Sequence, residues 1–290
     1  MGKTELVGFI GLGIIGRGMA LNLLNANAKL CVLAHQSRKT IDELVELGAC
    51  EAPSLNALAE TCSTIILCLP NSKIVRSIVS GLAQTMRYNG LVIDCTTNDV
   101  DTPQIIYSNM RKAGLRYAEA PLTGGQKQAL DASLGAIVGC DEHDYREVTA
   151  VLSVCCQRIE RFGEVGNGAK AKLISNFLAL GTATLVVEAM KIAKLTGIDW
   201  RKFYALASQG SGHSMSLDRI APRAIKGDFD GYVFSIANTA KDFEYICDFL
   251  PSNTDAVLLA KQIALIYQKA VDSGLGENLL SERLDPKNYD

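Results

Sequence analysis

Histidine is scarce in this 290-residue chain. His35, His143 and His213 are the only three, far apart and without metal-ligand spacing, so neither a structural nor a catalytic metal is expected. Positive charge is not in excess either. The formal net charge is −2 and no lysine or arginine run stands out, so nucleic acid is not an expected partner. No C-x-x-C pair occurs among the nine cysteines, whose odd number and scatter fit reduced, buried thiols. No uninterrupted apolar run reaches the ~20 residues of a membrane span. The opening residues lack the charged, apolar and small-residue succession of a signal peptide, and a cytoplasmic protein with no membrane partner is expected.

What is present is the composition of a folded chain, 48% hydrophobic and 21% charged, long enough for one large or two medium domains. Short apolar runs at 6–10, 29–34, 64–69 and 91–94 read as strands, and 14–24 and 40–47 as helices. Further strand candidates lie at 115–119, 134–139 and 158–162. This alternation predicts an α/β domain, a doubly wound parallel sheet with helices on both faces. From Gly166 the periodicity turns helical: 169–196 is a long, mostly apolar helix, followed by helices at 199–208, 216–226, 237–250 and 256–273. The expected division is therefore 1–163, followed by an all-α domain at 164–290.

The run GFIGLGIIG sets Gly11, Leu12, Gly13, Ile14, Ile15 and Gly16 between the first strand and the first helix. A lone G-x-G-x-x-G is weak, but in this context it predicts a dinucleotide cradle. Gly11 permits the tight turn, Gly13 lets the backbone approach a pyrophosphate, and Gly16 allows close helix-strand packing. The helix N-terminus then faces the phosphates. At the end of the second strand NAD enzymes often place a carboxylate, and here His35, Ser37, Arg38 and Lys39 stand instead. Their chemistry suits the 2′-phosphate of NADP, with NAD as the alternative; the same residues also suit a plain solvated turn.

In GNGAKAKLISNF, Lys172 and Asn176 are spaced i, i+4 and share a helix face. Such a lysine is either a snorkelling stem or a group set up for proton transfer.

Four motifs together resemble the β-hydroxyacid dehydrogenase family, which includes 3-hydroxyisobutyrate dehydrogenase and the glyoxylate/succinic semialdehyde reductases. They are GFIGLGIIGRGMALNL, Ala120-Pro121-Leu122-Thr123-Gly124-Gly125, Gly166-x-Gly168-x-x-x-Lys172-x-x-x-Asn176, and Lys241-Asp242-Phe243. The resemblance implies an N-terminal Rossmann domain and a helical C-terminal domain. It implies Lys172 as general acid/base, Asn176 as its hydrogen-bonding neighbour on the substrate, and Thr123, Gly124 and Gly125 as the carboxylate-binding segment. Lys241 lies near nicotinamide and substrate, and Leu69, Pro70 and Thr97 line the cofactor; for these last three an ordinary strand-end turn is the alternative. The chain departs from the family's usual text at Glu119, commonly Asp, at Ser175, often Asn, at Asn98-Asp99-Val100, which lacks a proline, and at Asn278, where an acid is common.

The chemistry coheres without the family name. Hydride transfer to a carbonyl builds negative charge on oxygen, and a cationic donor both stabilises it and supplies the proton. The expected function is an NADP-preferring oxidoreductase interconverting a small β-hydroxyacid and its semialdehyde acid, acting as a homodimer or homotetramer. The alternatives are an imine reductase, whose relatives usually carry Asp or Tyr in place of Lys172, and a non-catalytic cofactor-binding regulator. In the 208–216 loop, His213 is either a substrate contact or an exposed loop residue.

Overall fold

The computed structural model describes residues 6–34 and 38–288. The chain forms two compact units, Met1–Lys172 and Leu173–Asp290.

The first unit runs β1 (Leu6–Ile10), α1 (Ile14–Asn25), β2 (Lys29–Leu33), α2 (Arg38–Glu46), β3 (Cys50–Ala52), α3 (Leu55–Thr61), β4 (Thr64–Leu67) and α4 (Ser72–Thr85). It continues through β5 (Leu91–Asp94), α5 (Asp101–Lys112), β6 (Arg116–Glu119), β7 (Leu122–Thr123), α6 (Gln126–Leu130), β8 (Leu134–Gly139), α7 (Tyr145–Leu152) and β9 (Cys156–Gly163). The sheet order is β3-β2-β1-β4-β5-β6-β8-β7, with β9 on β8. From β3 to β6 all neighbours are parallel, with Gly8 opposite Cys31 and Ile65, so the chain order reverses between β1 and β4.

The expected parallel run does not continue to the end. β8 is antiparallel to both β6 and β7, and β9 is parallel to β8. Segment 124–133 holds only the short α6, whereas a parallel return needs a crossover of about a dozen residues or more. Pro121, which has no N–H to give, separates β6 from β7, and its carbonyl accepts from the Ile137 N–H at 3.0 Å.

Alternation along the central strands divides the core between two faces. Val7, Phe9 and Ile66 point to one, packed with Met19 and Leu23 of α1, Ile41 and Leu44 of α2, and Val148 and Leu152 of α7. Ile10, Ile65 and Leu67 point to the other, packed with Leu58, Val75, Val79, Leu82, Ile106 and Met110. Ser54 and Asn71 start α3 and α4 by accepting the N–H of Ala57 and Ile74. Gly18 lets α1 reach α6: a Cβ there would lie 2.8 Å from the Ala129 carbonyl carbon, and Asn22 donates to the Ala129 carbonyl at 2.7 Å.

The second unit is helical: most of α8 (Asn167–Leu195), then α9 (Trp200–Ala207), α10 (Met215–Ala224), α11 (Ile236–Phe249) and α12 (Asp255–Ala270). Asp199, Ser214 and Ser235 cap α9, α10 and α11. Phe243 and Ile246 of α11 are buried, as are Val257, Ala260 and Tyr267 of α12. The Tyr267 and Thr184 hydroxyls lie 2.8 Å apart, and Arg283 pairs with Glu188 at 2.6 Å. By length and composition α8 could cross a bilayer, although polar residues interrupt its apolar run. Half of its apolar window is buried within the chain.

The units part nine residues after the expected boundary of 163, inside α8. The helix start is fastened to the sheet: Glu119, at the end of β6, accepts the N–H of Gly166 at 2.5 Å, Gly168 at 2.9 Å and Ala169 at 3.0 Å. Burial pushes this carboxyl up to about 7, while those three bonds pull it down. From its ordinary 4.5 up to about 7, the fold holds a proton that the unfolded chain has lost. The resulting stabilisation is complete below about 4.5 and is lost as pH rises through about 7. From about pH 5 to about pH 7.5, wild type should therefore lose more unfolding free energy than Glu119→Gln in urea titrations. Equal losses in the two proteins would exclude the assignment.

Candidate active site

In the first unit the glycine turn, Leu69-Pro70 and Thr97 follow β1, β4 and β5, at the carboxyl edge of the sheet and around its switch point, where doubly wound sheets bind ligands. Gly11 has φ +100°, and a Cβ there would lie 2.1 Å from the Cys68 carbonyl oxygen. At Gly16 a Cβ would lie 1.9 Å from the Gly11 oxygen. Those two glycines are therefore required by the turn itself. Gly13, the N-cap of α1, is different: a Cβ would meet nothing within 4 Å. No side chain caps α1 and its first turn, with Ile14, Ile15 and Gly16, carries no acidic residue. Open space over an uncapped helix start fits a dinucleotide pyrophosphate.

The strand ends are tied together by short polar bonds. The Leu69 N–H donates to Thr96 Oγ1 at 3.0 Å, and Asp94 accepts from the Thr96 N–H at 3.0 Å, Asn98 Nδ2 at 2.8 Å and Tyr117 OH at 3.0 Å. Burial raises the Asp94 carboxyl against these bonds. Thr97 is half-buried on this turn, and Asn98 Oδ1 beside it is a buried acceptor with no hydrogen-bond partner among the described residues. Asp99 shapes the entry to α5. It accepts from the Thr102 N–H and hydroxyl, each at 2.8 Å, and donates its own N–H to Ser72.

At the end of β2, His35 and Ser37 lie outside the described residues. Arg38 opens α2, exposed, with its guanidinium on Asp42 and Glu51, each at 2.6 Å. Thr123 lies in β7 and Gly124 has φ +110°, while the Gly125 N–H donates to Gln128 Oε1 at 3.0 Å. Gly135 of β8 makes room for the threonine, since a Cβ there would lie 2.3 Å from Thr123 Oγ1. Lys172 is buried near the start of α8, one turn before Asn176.

In the second unit Asn176 Nδ2 donates to Asp242 Oδ2 and Lys241 Nζ to Asp242 Oδ1, both at 2.6 Å. Asp242 is 1% exposed and fixes both side chains, and Lys241 also lies 4.8 Å from the Tyr245 ring centre. The sequence motif contains Asp242 but gives it no role. The signal available was a carboxylate next to a lysine inside an apolar helix pattern. Gly135 and the capping role of Glu119 escape sequence reasoning as well; both depend on cross-strand register. His213 is exposed and pairs with Asp218 at 2.8 Å. Asp141, His143 and Asp144 bring ligand-type atoms within 4.8 Å of one another, but Tyr107 and Arg116 already engage the two acids.

Two family models cover the chain: the NAD binding domain of 6-phosphogluconate dehydrogenase over residues 6–163, and the NAD-binding domain of NADP-dependent 3-hydroxyisobutyrate dehydrogenase over 166–284. The mitochondrial 3-hydroxyisobutyrate dehydrogenase of Drosophila melanogaster is 29% identical over 283 residues, 95% of this chain and 87% of that protein. In fold, the chain is similar to Mycobacterium tuberculosis 3-hydroxyisobutyrate dehydrogenase with L-serine, with a TM-score of 0.86 at 23% identity over 99% and 100% of the two chains. An imine reductase from Pseudomonas sp. is more distant, with a TM-score of 0.64 at 19% identity over 96% and 98%. With both models matched in order, the chain belongs to the β-hydroxyacid dehydrogenase family of NAD(P)-dependent dehydrogenases acting on CH–OH groups.

Proposed function

We propose that this chain interconverts a small β-hydroxyacid and its semialdehyde acid, with Lys172 as general acid/base and NADP as the preferred cofactor. The observation that carries the reading is Lys172 itself: a lysine buried on the family's helical motif, one turn from an asparagine held by a buried carboxylate. A nicotinamide, when bound, supplies or accepts the hydride. In the reducing direction the Lys172 ammonium stabilises charge growing on the substrate oxygen and transfers the proton to it. Asp242 fixes the direction of the Asn176 amide and holds Lys241 beside it. Thr123 and the backbone of Gly124 and Gly125 suit a substrate carboxylate, because small residues permit close approach. Lysine at 172 favours this reading over an imine reductase or a non-catalytic regulator.

Assayed with NADPH against glyoxylate, succinic, tartronate and methylmalonate semialdehydes, wild type should reduce at least one. Lys172→Ala should lower kcat by roughly 10²–10⁴-fold with cofactor binding intact. Asp242→Asn removes the charge shared by Asn176 and Lys241 and should cost about 10–100-fold in kcat/KM, the loss of one charged hydrogen bond. Wild-type rates in Lys172→Ala would overturn the proton-donor assignment.

NADP preference is supported by the absence of a carboxylate after β2 and by Arg38 and Lys39 at the start of α2. Arg38→Ala should raise the KM for NADPH by roughly 10-fold, one charge-assisted contact, and leave that for NADH unchanged. Equal effects on the two cofactors would reject the preference.

We also infer a homodimer or homotetramer. Exposed Ile174, Leu178, Leu185, Ile192 and Leu195 follow one another at helical spacing along α8, an apolar stripe that a second copy would cover. Sedimentation at micromolar concentration should give at least twice the monomer mass, and Leu178→Glu/Leu185→Glu should lower it. A monomeric wild type would exclude the assembly.

A further inference from the structure

The carboxyl group of Glu119 is buried at the end of β6 and gathers three backbone N–H groups. Oε1 accepts from the Gly166 and Gly168 N–H groups and Oε2 from that of Ala169. The first turn of a helix has N–H groups with no partner inside the helix, and a carboxylate there is also favoured by the helix dipole. The slot is shaped for this side chain. Gly139, paired with Glu119 across β6 and β8, would place a Cβ 2.3 Å from Oε1, and Gly168 would place one 3.0 Å from Cδ. Any larger residue at either position collides with the carboxyl.

Glu119 also joins two stretches that the proposed chemistry needs in register. The residues directly after it run through Ala120 and Pro121 to Thr123, Gly124 and Gly125, while Lys172 follows Ala169 by three residues in α8. One carboxylate therefore fixes the base of the anion-binding segment and the first turn of the lysine-bearing helix. The titratable groups acting on it are Asp94 at the end of β5 and Tyr117 in β6. Both lie on the sheet, and the donors to Glu119 from 166–169 are backbone N–H groups.

We propose that Glu119 is a positioning residue, which sets Lys172 relative to the Thr123–Gly125 segment by fastening the start of α8 to the end of β6. The proposal rests on the reading of Lys172 as proton donor. A cap that only stabilised the helix would lower the melting temperature and leave turnover unchanged well below it. A positioning residue changes kcat at full cofactor occupancy, because a displacement of about 1 Å at a reacting group costs on the order of 10²-fold.

The test compares full-length wild type, Glu119→Gln, Glu119→Asp, Lys172→Ala and Glu119→Gln/Lys172→Ala, reading kcat, KM and NADPH affinity by fluorescence. Glu119→Gln should lower kcat by roughly 10–100-fold with NADPH affinity within about 2-fold of wild type. The double variant should be no slower than Lys172→Ala alone, since residues acting through one group are not additive. If Glu119→Gln does not fold, Glu119→Asp, which keeps the charge on a shorter arm, decides: a lower kcat at unchanged NADPH affinity supports the proposal, and a lower melting temperature at wild-type kcat overturns it. Multiplied losses in the double variant, or wild-type kcat in Glu119→Gln, also overturn it while a slow Lys172→Ala leaves the proton-donor reading standing. A fast Lys172→Ala removes both.

Discussion

Backbone crowding at the carboxyl ends of β1 and β4 constrains everything built on that edge. The two strands are adjacent and parallel, so the chains leaving them must part at once. With the Cys68 carbonyl where it is, no residue bearing a Cβ can occupy position 11. Gly11 therefore turns at positive φ, Gly16 lets the new helix lie against the turn's own carbonyl, and the opening between the diverging chains falls over Gly13. Two glycines follow from protein packing, and the third leaves room that the protein does not fill. That difference separates a binding turn from an ordinary tight one.

Three buried carboxylates organise the remaining candidate residues, Asp94 and Glu119 in the first unit and Asp242 in the second. Asp94 gathers the β5 turn through Thr96, Asn98 and Tyr117; Glu119 holds the start of α8; Asp242 holds Asn176 and Lys241. Burying an ionised group without partners costs several kcal/mol, so carboxylates at such positions must be met by converging donors. The donors here are backbone N–H groups and neutral side chains in two cases and an asparagine with a lysine in the third. The side chains proposed for chemistry are thus held by groups that do not themselves react.

The sequence made the central alternation legible because local signals agreed there: apolar runs of strand length, a glycine turn at 11–16, and helices of period 3.6 beyond 166. Short elements escaped. β3 is three residues long and β7 two, too short to show a period. The antiparallel direction of β8 is not legible, because strand direction depends on the length of the connection, not on the strand's own residues. Among the candidate residues, motif positions single out Lys172, Asn176 and Lys241. The positions of Asp242, Gly135 and Glu119 follow from pairings between distant segments that no local pattern encodes.

Arg38 shows how an occupied side chain should be weighed. Its guanidinium rests on Asp42 and Glu51, which looks like a commitment that a 2′-phosphate would have to break. Exposed ion pairs of this kind contribute about 0–1 kcal/mol each, because water and salt compete for the same charges. A phosphate with ~2 negative charges and several acceptor oxygens forms stronger, bidentate contacts with the same fork. Exchange of one set of partners for the other is therefore inexpensive, and the present pairing does not oppose NADP. A carboxylate after β2 would, by repelling the phosphate directly, and none stands between Ala34 and Lys39.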